Sequence, residues 1–391
     1  MKRRIVHYLL LAAVLVGLPL LCAWLGGKEE VLADVAAFPP KGEEWLQMAD
    51  RLWAVRCPFS WRVFLLFLAI VAATTLPLAA TCCRALVFAR ARRTVRRREG
   101  RGFPRWGWLA LAVMLAGWVL AWTRFGWFAP LQRYPYVLQW GGFIFFMNAL
   151  CVKRSGRSPL TDDPRHFALL FPTSSFFWWF FEYLNRYVWN WFYLGVEGIS
   201  AAEYAVLASV CFSSVLPGVV SVAAWLETFD AFQDRRYRDF RKVDVRSKTS
   251  IAVLSLLSLY GLVGIVFIPE YAFPFLWISP LMVFVLVQIL LKEESVLDRL
   301  KWGDWGFVFR NAVAALVCGL VWETWNWLSY AKWVYNVPWV SRFYVWEMPI
   351  LGFAGYLPFG LECAAVAHWL KRGSARESGS QGLQIQRGIL I

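Results

Sequence analysis

Residues 178–193 read WWFFEYLNRYVWNWFY, and residues 322–335 read WETWNWLSYAKWVY. Both stretches carry Glu-x-x-Asn inside an apolar run and continue into Trp-x-Tyr, with the Trp-x-Tyr elements 142 positions apart. Three pairs of identical residues are 141 positions apart: Glu182 and Glu323, Asn185 and Asn326, Pro217 and Pro358. A spacing shared by several unlike residues predicts an internal duplication.

The composition places this chain of 391 residues among membrane proteins. Hydrophobic residues make up 59% of it, charged residues 17%, and the mean hydropathy is +0.48. A soluble domain cannot bury that much apolar surface. About ten apolar runs are long enough for an α-helix to cross a bilayer, and none alternates as the strands of a membrane barrel do. The sequence therefore predicts an all-α polytopic membrane protein with about ten transmembrane helices.

The predicted helices form two N-terminal spans followed by two parallel four-helix repeats. Because each repeat has an even number of spans, both copies share one orientation in the membrane. The N-terminal region at 1–102 includes an amphipathic segment at 42–53 that we expect to lie on the outer membrane surface. The other predicted units are a first repeat at 103–230, a basic cytoplasmic loop at 231–249, a second repeat at 250–372 and a flexible cytoplasmic tail at 373–391.

Basic residues concentrate on one side of the predicted helices. The loops at 90–105, 153–165, 230–248 and 292–301 are all basic or contain basic clusters, and all fall on the same side. Lysine- and arginine-rich loops stay in the cytoplasm. We therefore expect a multi-pass protein of a bacterial-type inner (plasma) membrane with both termini in the cytoplasm. The net charge of +15 reflects this topology and favours contact with anionic membrane lipids, and no nucleic-acid binding is expected.

The eight cysteines and three histidines give little sign of a metal or redox centre. No CxxC occurs, and most cysteines lie in the predicted spans as small apolar residues. Only Cys22 and Cys57 could both lie near the outer face, and whether they pair stays open. Three histidines supply few ligands for zinc or haem. We expect no metal and no cofactor.

Carboxylates inside the predicted spans give the strongest functional signal. An ionisable group in the hydrocarbon region costs several kcal/mol, so it usually faces a cavity or a partner. Each Glu-x-x-Asn places both side chains on one helix face, and a second acid follows near the start of each fourth span. We predict that one outward-facing, Trp-lined acidic cavity between the repeats is formed by these acids, the asparagines and the Trp of each Trp-x-Tyr. The candidate substrate-binding residues are Glu182, Asn185, Trp191, Glu203, Glu323, Asn326, Trp333 and Glu347.

A structural interpretation accounts for some of the same residues. Glu182 and Arg186 are at i,i+4 and can form an ion pair, while Asn185 and Asn326 can hydrogen-bond between helices. Many of the 25 tryptophans are expected at the membrane interfaces. Those around the two glutamates are denser than an interface requires, and their rings could hold an organic cation or line a slot for an isoprenoid or acyl chain.

Three classes of function fit this pattern. The fourth spans at 203–229 and 343–370 contain proline and glycine, and such broken helices line binding sites in transporters, which favours a carrier for a small cationic or proton-coupled solute. The alternatives are an intramembrane enzyme that uses Glu as general acid or base on an isoprenoid or other lipid, and a structural subunit of a membrane complex. A carrier needs polar residues continuing to the cytoplasmic side, as Glu227 and Glu362 do, whereas an enzyme needs a lateral apolar opening. Membrane lipids and a small-molecule or lipid substrate are the expected partners, and the oligomeric state stays open.

The Trp-rich span, the Trp-x-Tyr loop and the acid that opens the next helix resemble the layout of the small membrane-bound lycopene cyclases. These enzymes are also built from duplicated helical units. The resemblance covers the last two spans of each copy and implies an enzyme that acts on an isoprenoid lipid. The Pro-x-Glu-Glu motif of that family is missing, because this chain has Ala202-Glu203-Tyr204 and Trp346-Glu347-Met348. No catalytic role is therefore transferred to these acids.

Overall fold

The structure is a computed structural model that describes residues 2–39, 46–47, 56–89, 100–232 and 240–377. It is 75% helical. Within these residues, seven helices are long and apolar enough to cross a membrane, and a bent pair raises the number to eight. The fold is thus consistent with the predicted all-α membrane protein, whereas the count of ten and the duplication remain predictions.

The described residues of the N-terminal half form eight α-helices. In chain order they are α1 (Lys2–Ala12), α2 (Leu18–Leu25), α3 (Glu29–Ala36), α4 (Trp61–Ala89), α5 (Arg105–Trp122), α6 (Pro135–Ser155), α7 (Pro159–Asp162) and α8 (Pro164–Val188). A π-helical turn over Ala13–Gly17 joins α1 to α2, so that Val6–Leu25 forms one apolar span.

The C-terminal half alternates helices with short strands. It contains β1 (Trp191–Leu194), α9 (Ala201–Phe212), α10 (Val215–Glu227), α11 (Lys248–Phe267), α12 (Pro269–Ala272), α13 (Ser279–Leu290), α14 (Gly306–Trp327), β2 (Lys332–Tyr335), β3 (Tyr344–Val345), β4 (Met348–Pro349) and α15 (Tyr356–Glu377). The bent pair is Pro269–Trp277 with Ser279–Leu290, whose axes differ by 56°.

Two long helices fall outside the apolar set. In α4, which has 29 residues, only Trp61–Pro77 qualifies as an apolar helix. The 25 residues of α8 include buried Glu182 and Arg186. At 1.5 Å per residue both helices exceed a hydrocarbon core of about 30 Å, so their lengths leave room for the ten predicted spans. The amphipathic segment at 42–53 lies outside the described residues except for 46–47, as does the predicted tail beyond Glu377.

The core of the fold is formed by closely packed helices. Nearly every residue of α10 is buried, and this helix packs against α6, α8, α14 and α15. Helices α5 and α6 pack closely because small residues face each other. A side chain at Gly142 would have its Cβ 2.5 Å from the Met114 backbone nitrogen and 2.7 Å from the Ala110 carbonyl oxygen. This is the small-residue contact that lets membrane helices approach without a hydrophobic driving force.

The two Trp-x-Tyr elements, expected as aromatic loops, form strands that pair with each other. β1 and β2 run antiparallel with Trp191 opposite Tyr335, Phe192 opposite Val334 and Tyr193 opposite Trp333. This register is symmetric about the central pair. Helices α8 and α14 end, and strands β1 and β2 begin, at the same end of the helix bundle. We call it the strand end.

The fourth predicted spans differ from their expected bounds. In the first, α9 ends before Ser213–Ser214 and α10 begins at Val215, so the break precedes Pro217. In the second, residues 343–349 form the β3–β4 hairpin rather than the start of a helix, and the apolar span covers Ile350–Lys371. Proline removes one backbone donor, which is why both interruptions lie just before a proline-containing helical turn.

Candidate functional site

The carboxyl group of Glu182 is an acceptor for three aromatic donors. Its Oε1 accepts hydrogen bonds from Tyr193 Oη at 2.6 Å, Trp191 Nε1 at 2.9 Å and Trp178 Nε1 at 3.0 Å. The side chain is 4% exposed. Two of these donors come from β1, so the strand that follows α8 folds back over the helix and closes around its glutamate.

Glu323 has the same arrangement on α14. Its Oε1 accepts from Tyr335 Oη at 2.7 Å, Tyr356 Oη at 2.9 Å and Trp333 Nε1 at 3.3 Å. The side chain is fully buried, at 0% exposure. The Trp and Tyr of each Trp-x-Tyr therefore serve the glutamate of their own stretch, in both halves of the chain.

The third hydrogen-bond donor is a different residue for each glutamate, because two corresponding positions differ between the halves. At the 141-residue spacing, the counterpart of Trp178 is Gly319. A Cβ at Gly319 would collide with the ring of Tyr356, so the glycine leaves the space that this ring occupies. Tyr356 in turn corresponds to Val215. One half supplies the third donor from the glutamate's own helix, and the other supplies it from a neighbouring helix.

The two asparagines connect each helix end to its strand. Asn185 donates from Nδ2 to the Trp191 carbonyl oxygen at 2.8 Å and accepts from Trp191 N at 3.3 Å. Asn326 donates to the Trp333 carbonyl oxygen at 2.7 Å and accepts from Trp333 N at 2.8 Å. Both amides are buried and occupied by backbone groups. They position the aromatic donors and do not line a cavity.

Replacing Asn326 by Ala is expected to destabilise the protein by about 1–3 kcal/mol, because it leaves the half-buried N–H and C=O of Trp333 without their side-chain partner. Chemical unfolding in mixed micelles, followed by tryptophan fluorescence, measures this loss. Thr324→Ala is the control on the same helix, since the Thr324 hydroxyl donates to the Leu320 carbonyl of its own helix. A variant as stable as the wild type would show that Asn326 does not hold β2.

A cavity of about 140 Å³ lies between the two glutamates' aromatic partners. Half of its 22 lining residues are aromatic, and they come from both halves of the chain: Tyr136, Trp178, Trp191, Tyr193, Tyr204, Phe212, Trp277, Trp322, Trp333, Tyr335 and Tyr356. Glu182 and Glu323 do not line the cavity. Each is hydrogen-bonded to aromatic residues that do line it. The predicted acidic cavity therefore has aromatic walls, and the two carboxyl groups lie behind these walls on two sides.

The cavity is closed on the side away from the strand end. Trp140 and Phe359 are each 1% exposed and lie one turn further along their helices than the lining residues Tyr136 and Tyr356. Their rings contact the lining: Trp140 is 4.8 Å from Trp322, and Phe359 is 5.7 Å from Trp178, between ring centroids. A second aromatic layer therefore forms the floor.

The other two predicted acids lie apart from the pair. Glu203 is exposed and accepts from Tyr134 Oη at 2.8 Å, and this hydrogen bond raises the pKa of Tyr134. Glu347 lies between β3 and β4 and pairs with Lys332 Nζ at 2.5 Å. Lys332 lines the cavity, so Glu347 is connected to the cavity wall through this ion pair. Glu203 is not among the lining residues.

The surroundings of the two glutamates differ in charge. Arg186, one turn beyond Glu182 on α8, is 8% exposed and lies near both Glu182 and Asp34. The corresponding position on α14 is Trp327, which is 44% exposed. Among the described residues no cation pairs with Glu323, and its Oε2 is buried without a hydrogen-bond partner. Burying an unpaired charge is costly, so Glu323 is the better placed of the two to carry a proton.

The tyrosines of the strands can pass protons between these carboxyl groups and the cavity. Burial raises the pKa of Tyr193 and of Tyr335 well above the ordinary tyrosine value. Both hydroxyls therefore stay protonated and donate to the glutamates. Sequence reasoning missed Tyr136, Tyr204, Trp277 and Tyr356 as lining residues, because nothing in their local sequence separates them from other aromatic residues in apolar runs.

Metal-binding clusters were not expected from the sequence. Over the described ranges, no group of three or more His, Cys, Asp or Glu residues is arranged to hold a metal ion. Cys22 and Cys57, whose pairing the sequence leaves open, are both free thiols. Comparison with protein-family models, curated proteins and solved structures finds no match for this chain.

Proposed function

We propose that this protein is an intramembrane enzyme that binds one unsaturated unit of an isoprenoid-type hydrocarbon chain in its aromatic cavity and shifts its double bond by adding and removing protons. One observation carries the proposal: an aromatic cavity has two carboxyl groups behind it, each connected to it through a tyrosine hydroxyl. Apolar rings bind a hydrocarbon chain, and their faces attract positive charge. The trisubstituted double bonds of isoprenoids give tertiary cations when protonated, which are the cations such rings stabilise best.

The proposed proton transfer begins at Glu323. The Tyr356 hydroxyl, which donates to Glu323 Oε1 in the structure, turns to the double bond and gives its proton to one carbon, whose π electrons form the new C–H bond. The carboxyl proton of Glu323 then passes to the tyrosine oxygen. Positive charge then develops on the neighbouring carbon, facing the rings. Tyr356 lines the cavity and its hydroxyl is 2.9 Å from Glu323 Oε1, so the acid and the tyrosine are within range of general acid catalysis.

Glu182 accepts the proton that leaves. A carbon next to the cation loses its proton to Tyr193 Oη, whose own proton moves to Glu182, and the C–H electrons form the displaced double bond. The nearby guanidinium of Arg186 offsets part of the cost of a buried carboxylate at Glu182. One proton has then moved from Glu323 to Glu182, and exchange with water restores both groups between turnovers. The reaction needs no oxidant or reductant.

The geometry favours this enzyme over the carrier that the broken helices suggested. A carrier must open its site to each side of the membrane in turn, and in this conformation Trp140 and Phe359 close the floor. The acids expected to continue the path are engaged elsewhere. Glu362 accepts from Leu281 N at 3.1 Å in the first turn of α13, and Glu227 lies 4.0 Å from Arg310.

The proposal includes the architecture predicted from the sequence. We propose that the chain contains two parallel four-helix repeats in a plasma membrane, with both termini in the cytoplasm and the strand end outward. The repeats are supported by the matched donors of Glu182 and Glu323 and by the symmetric register of β1 with β2. Tagging each terminus and testing its access from outside the cell would decide the orientation.

Hydrogen isotope exchange tests the proposed reaction. The purified protein in nanodiscs of saturated phosphatidylcholine is incubated in D₂O with an extract of unsaturated membrane lipids and, separately, with squalene as a defined acyclic isoprenoid. We expect protein-dependent uptake of deuterium at carbon, detected by mass spectrometry, because each shift of a double bond adds one proton from solvent. Squalane, the saturated analogue, should bind without exchanging.

Two outcomes would contradict the proposal. If isoprenoids bind in the cavity but no lipid gains deuterium, the protein is a lipid-binding protein without acid chemistry. If neither squalene nor squalane binds, and a small polar solute copurifies instead, the carrier is the better description.

A further inference from the structure

A second recess, of about 320 Å³, adjoins the aromatic cavity at the strand end. It lies in the connection between α5 and α6 and contains two guanidinium groups, those of Arg124 and Arg133. Arg133 lines both this recess and the aromatic cavity. The two spaces therefore share a wall at one arginine.

Carbonyl oxygens hold both arginines in place. Arg124 donates from Nη1 to the Ala121 carbonyl oxygen and from Nη2 to that of Leu328, at 2.9 and 2.8 Å. Arg133 donates from Nε to the Gly195 carbonyl oxygen at 2.9 Å, and from Nη2 to that of Glu197 at 2.9 Å.

These bonds orient the guanidinium groups without neutralising them. A carbonyl oxygen carries no net charge, and in the part of the chain described here neither arginine has a carboxylate within ion-pair distance. Each retains N–H groups beyond those used. Two fixed, uncompensated guanidinium groups beside one recess are suited to a phosphate, which Arg binds through paired hydrogen bonds.

The surroundings of the recess match the depth of a lipid head group. Phe125 is 42% exposed, Trp127 is 73% exposed and Leu131 is 53% exposed, all in the same connection. Exposed Trp and Phe at the end of a span mark the membrane interface. Basic residues concentrate on the opposite side in the proposed topology, and Arg56 and Arg342 also fall on this side without lining the recess. A role in binding accounts for the two arginines that do line it.

From these contacts we infer that the recess binds the phosphate group of the lipid whose hydrocarbon chain occupies the aromatic cavity. The substrate class is then an isoprenoid phosphate ester rather than a bare hydrocarbon. The inference rests on the proposed function for the position of the chain, and on Arg124 and Arg133 for the head group. A phosphate ester held at the interface would also fix which double bond lies beside Tyr356 and Tyr193.

Binding of three probes tests the inference: farnesyl monophosphate, farnesol and inorganic phosphate. Affinities are measured by tryptophan fluorescence and by native mass spectrometry of the full-length protein. We expect farnesyl monophosphate to bind at least about tenfold more tightly than farnesol, the factor expected for charge-assisted hydrogen bonds. The double variant Arg124→Gln, Arg133→Gln should lose this difference and keep the farnesol affinity within about twofold.

Control variants separate binding from folding. Arg105→Gln lies on α5 at the opposite end from Arg124, is exposed, and should leave all three affinities unchanged. Arg124→Lys with Arg133→Lys keeps the charge but loses the paired geometry, and should bind with intermediate affinity even where the Gln variant unfolds.

The possible failures are distinguishable. Equal affinity for farnesyl monophosphate and farnesol, or no change in the Gln and Lys variants, overturns the head-group site and leaves the proposed function intact. Inorganic phosphate binding as tightly as farnesyl monophosphate shows a site for free phosphate and overturns the lipid assignment. If farnesyl monophosphate binds in an arginine-dependent way but farnesol does not bind, the head-group site is supported and binding of the hydrocarbon chain in the aromatic cavity is overturned.

Discussion

Replacing Glu323 by Gln is expected to lower the rate of deuterium incorporation into an isoprenoid by about 10²–10⁴-fold, the contribution of a positioned general acid. Glutamine keeps an oxygen to accept from Tyr335 and Tyr356, and its NH₂ group takes the place of the unpartnered Oε2. The aromatic wall of the cavity therefore stays in place. Single-turnover exchange in D₂O measures the loss, and unfolding in mixed micelles should show a stability close to that of the wild type.

The matched change at Glu182 should give a different result. Glu182→Gln removes the proton acceptor, so turnover falls, but it also removes a charge partner of buried Arg186. Losing one partner of a buried pair lowers stability by about 3 kcal/mol or more. We expect a loss near about 3 kcal/mol, because Asp34 remains near Arg186 and still compensates part of its charge. Adding Arg186→Met should restore stability without restoring turnover. Equal stability losses in Glu182→Gln and Glu323→Gln would contradict the charge difference between the two sites.

The sequence predicted the pairing of Glu and Asn but not the role of each. The i,i+3 spacing places Glu182 and Asn185 on one helix face, and the structure has both facing β1. The sequence could not show that the asparagine amide hydrogen-bonds to the strand backbone, whereas the glutamate accepts hydrogen bonds from aromatic side chains. Those partners depend on how β1 and β2 pair, and four-residue strands carry too little alternation to be recognised.

Contacts between helices were also beyond the sequence. Gly319 and Tyr356 are 37 positions apart, and only the packing of α14 on α15 shows that the ring of one fills the space left by the other. The sequence also could not show that Tyr134 donates to Glu203, since an acid at the start of a span faces the interface as readily as a cavity. Substrate binding by Glu203 remains a prediction.

Filling the aromatic cavity is expected to abolish ligand binding. Ala208 on α9 lines the cavity and is 9% exposed, so Ala208→Phe directs a benzyl group into the space. A dry cavity of about 150 Å³ in another protein holds one benzene molecule, so the new ring would occupy most of the 140 Å³ present here. We expect isoprenoid affinity to fall by about 100-fold or more, since each buried CH₂ that is displaced loses about 0.8 kcal/mol. Tryptophan fluorescence titration with squalene measures it.

The same helix supplies the control for this prediction. Val206 lies two positions away and is 66% exposed, so Val206→Phe adds a ring of the same kind on the side away from the cavity. Its affinity and turnover should match those of the wild type, whereas Ala208→Phe loses both while Glu182 and Glu323 keep their aromatic donors. Because the acid and base remain intact in Ala208→Phe, lost turnover would place the chemistry inside the cavity. If Ala208→Phe binds and turns over like the wild type, the hydrocarbon chain lies outside the cavity. The tyrosines could then not transfer protons between the two carboxyl groups and the substrate.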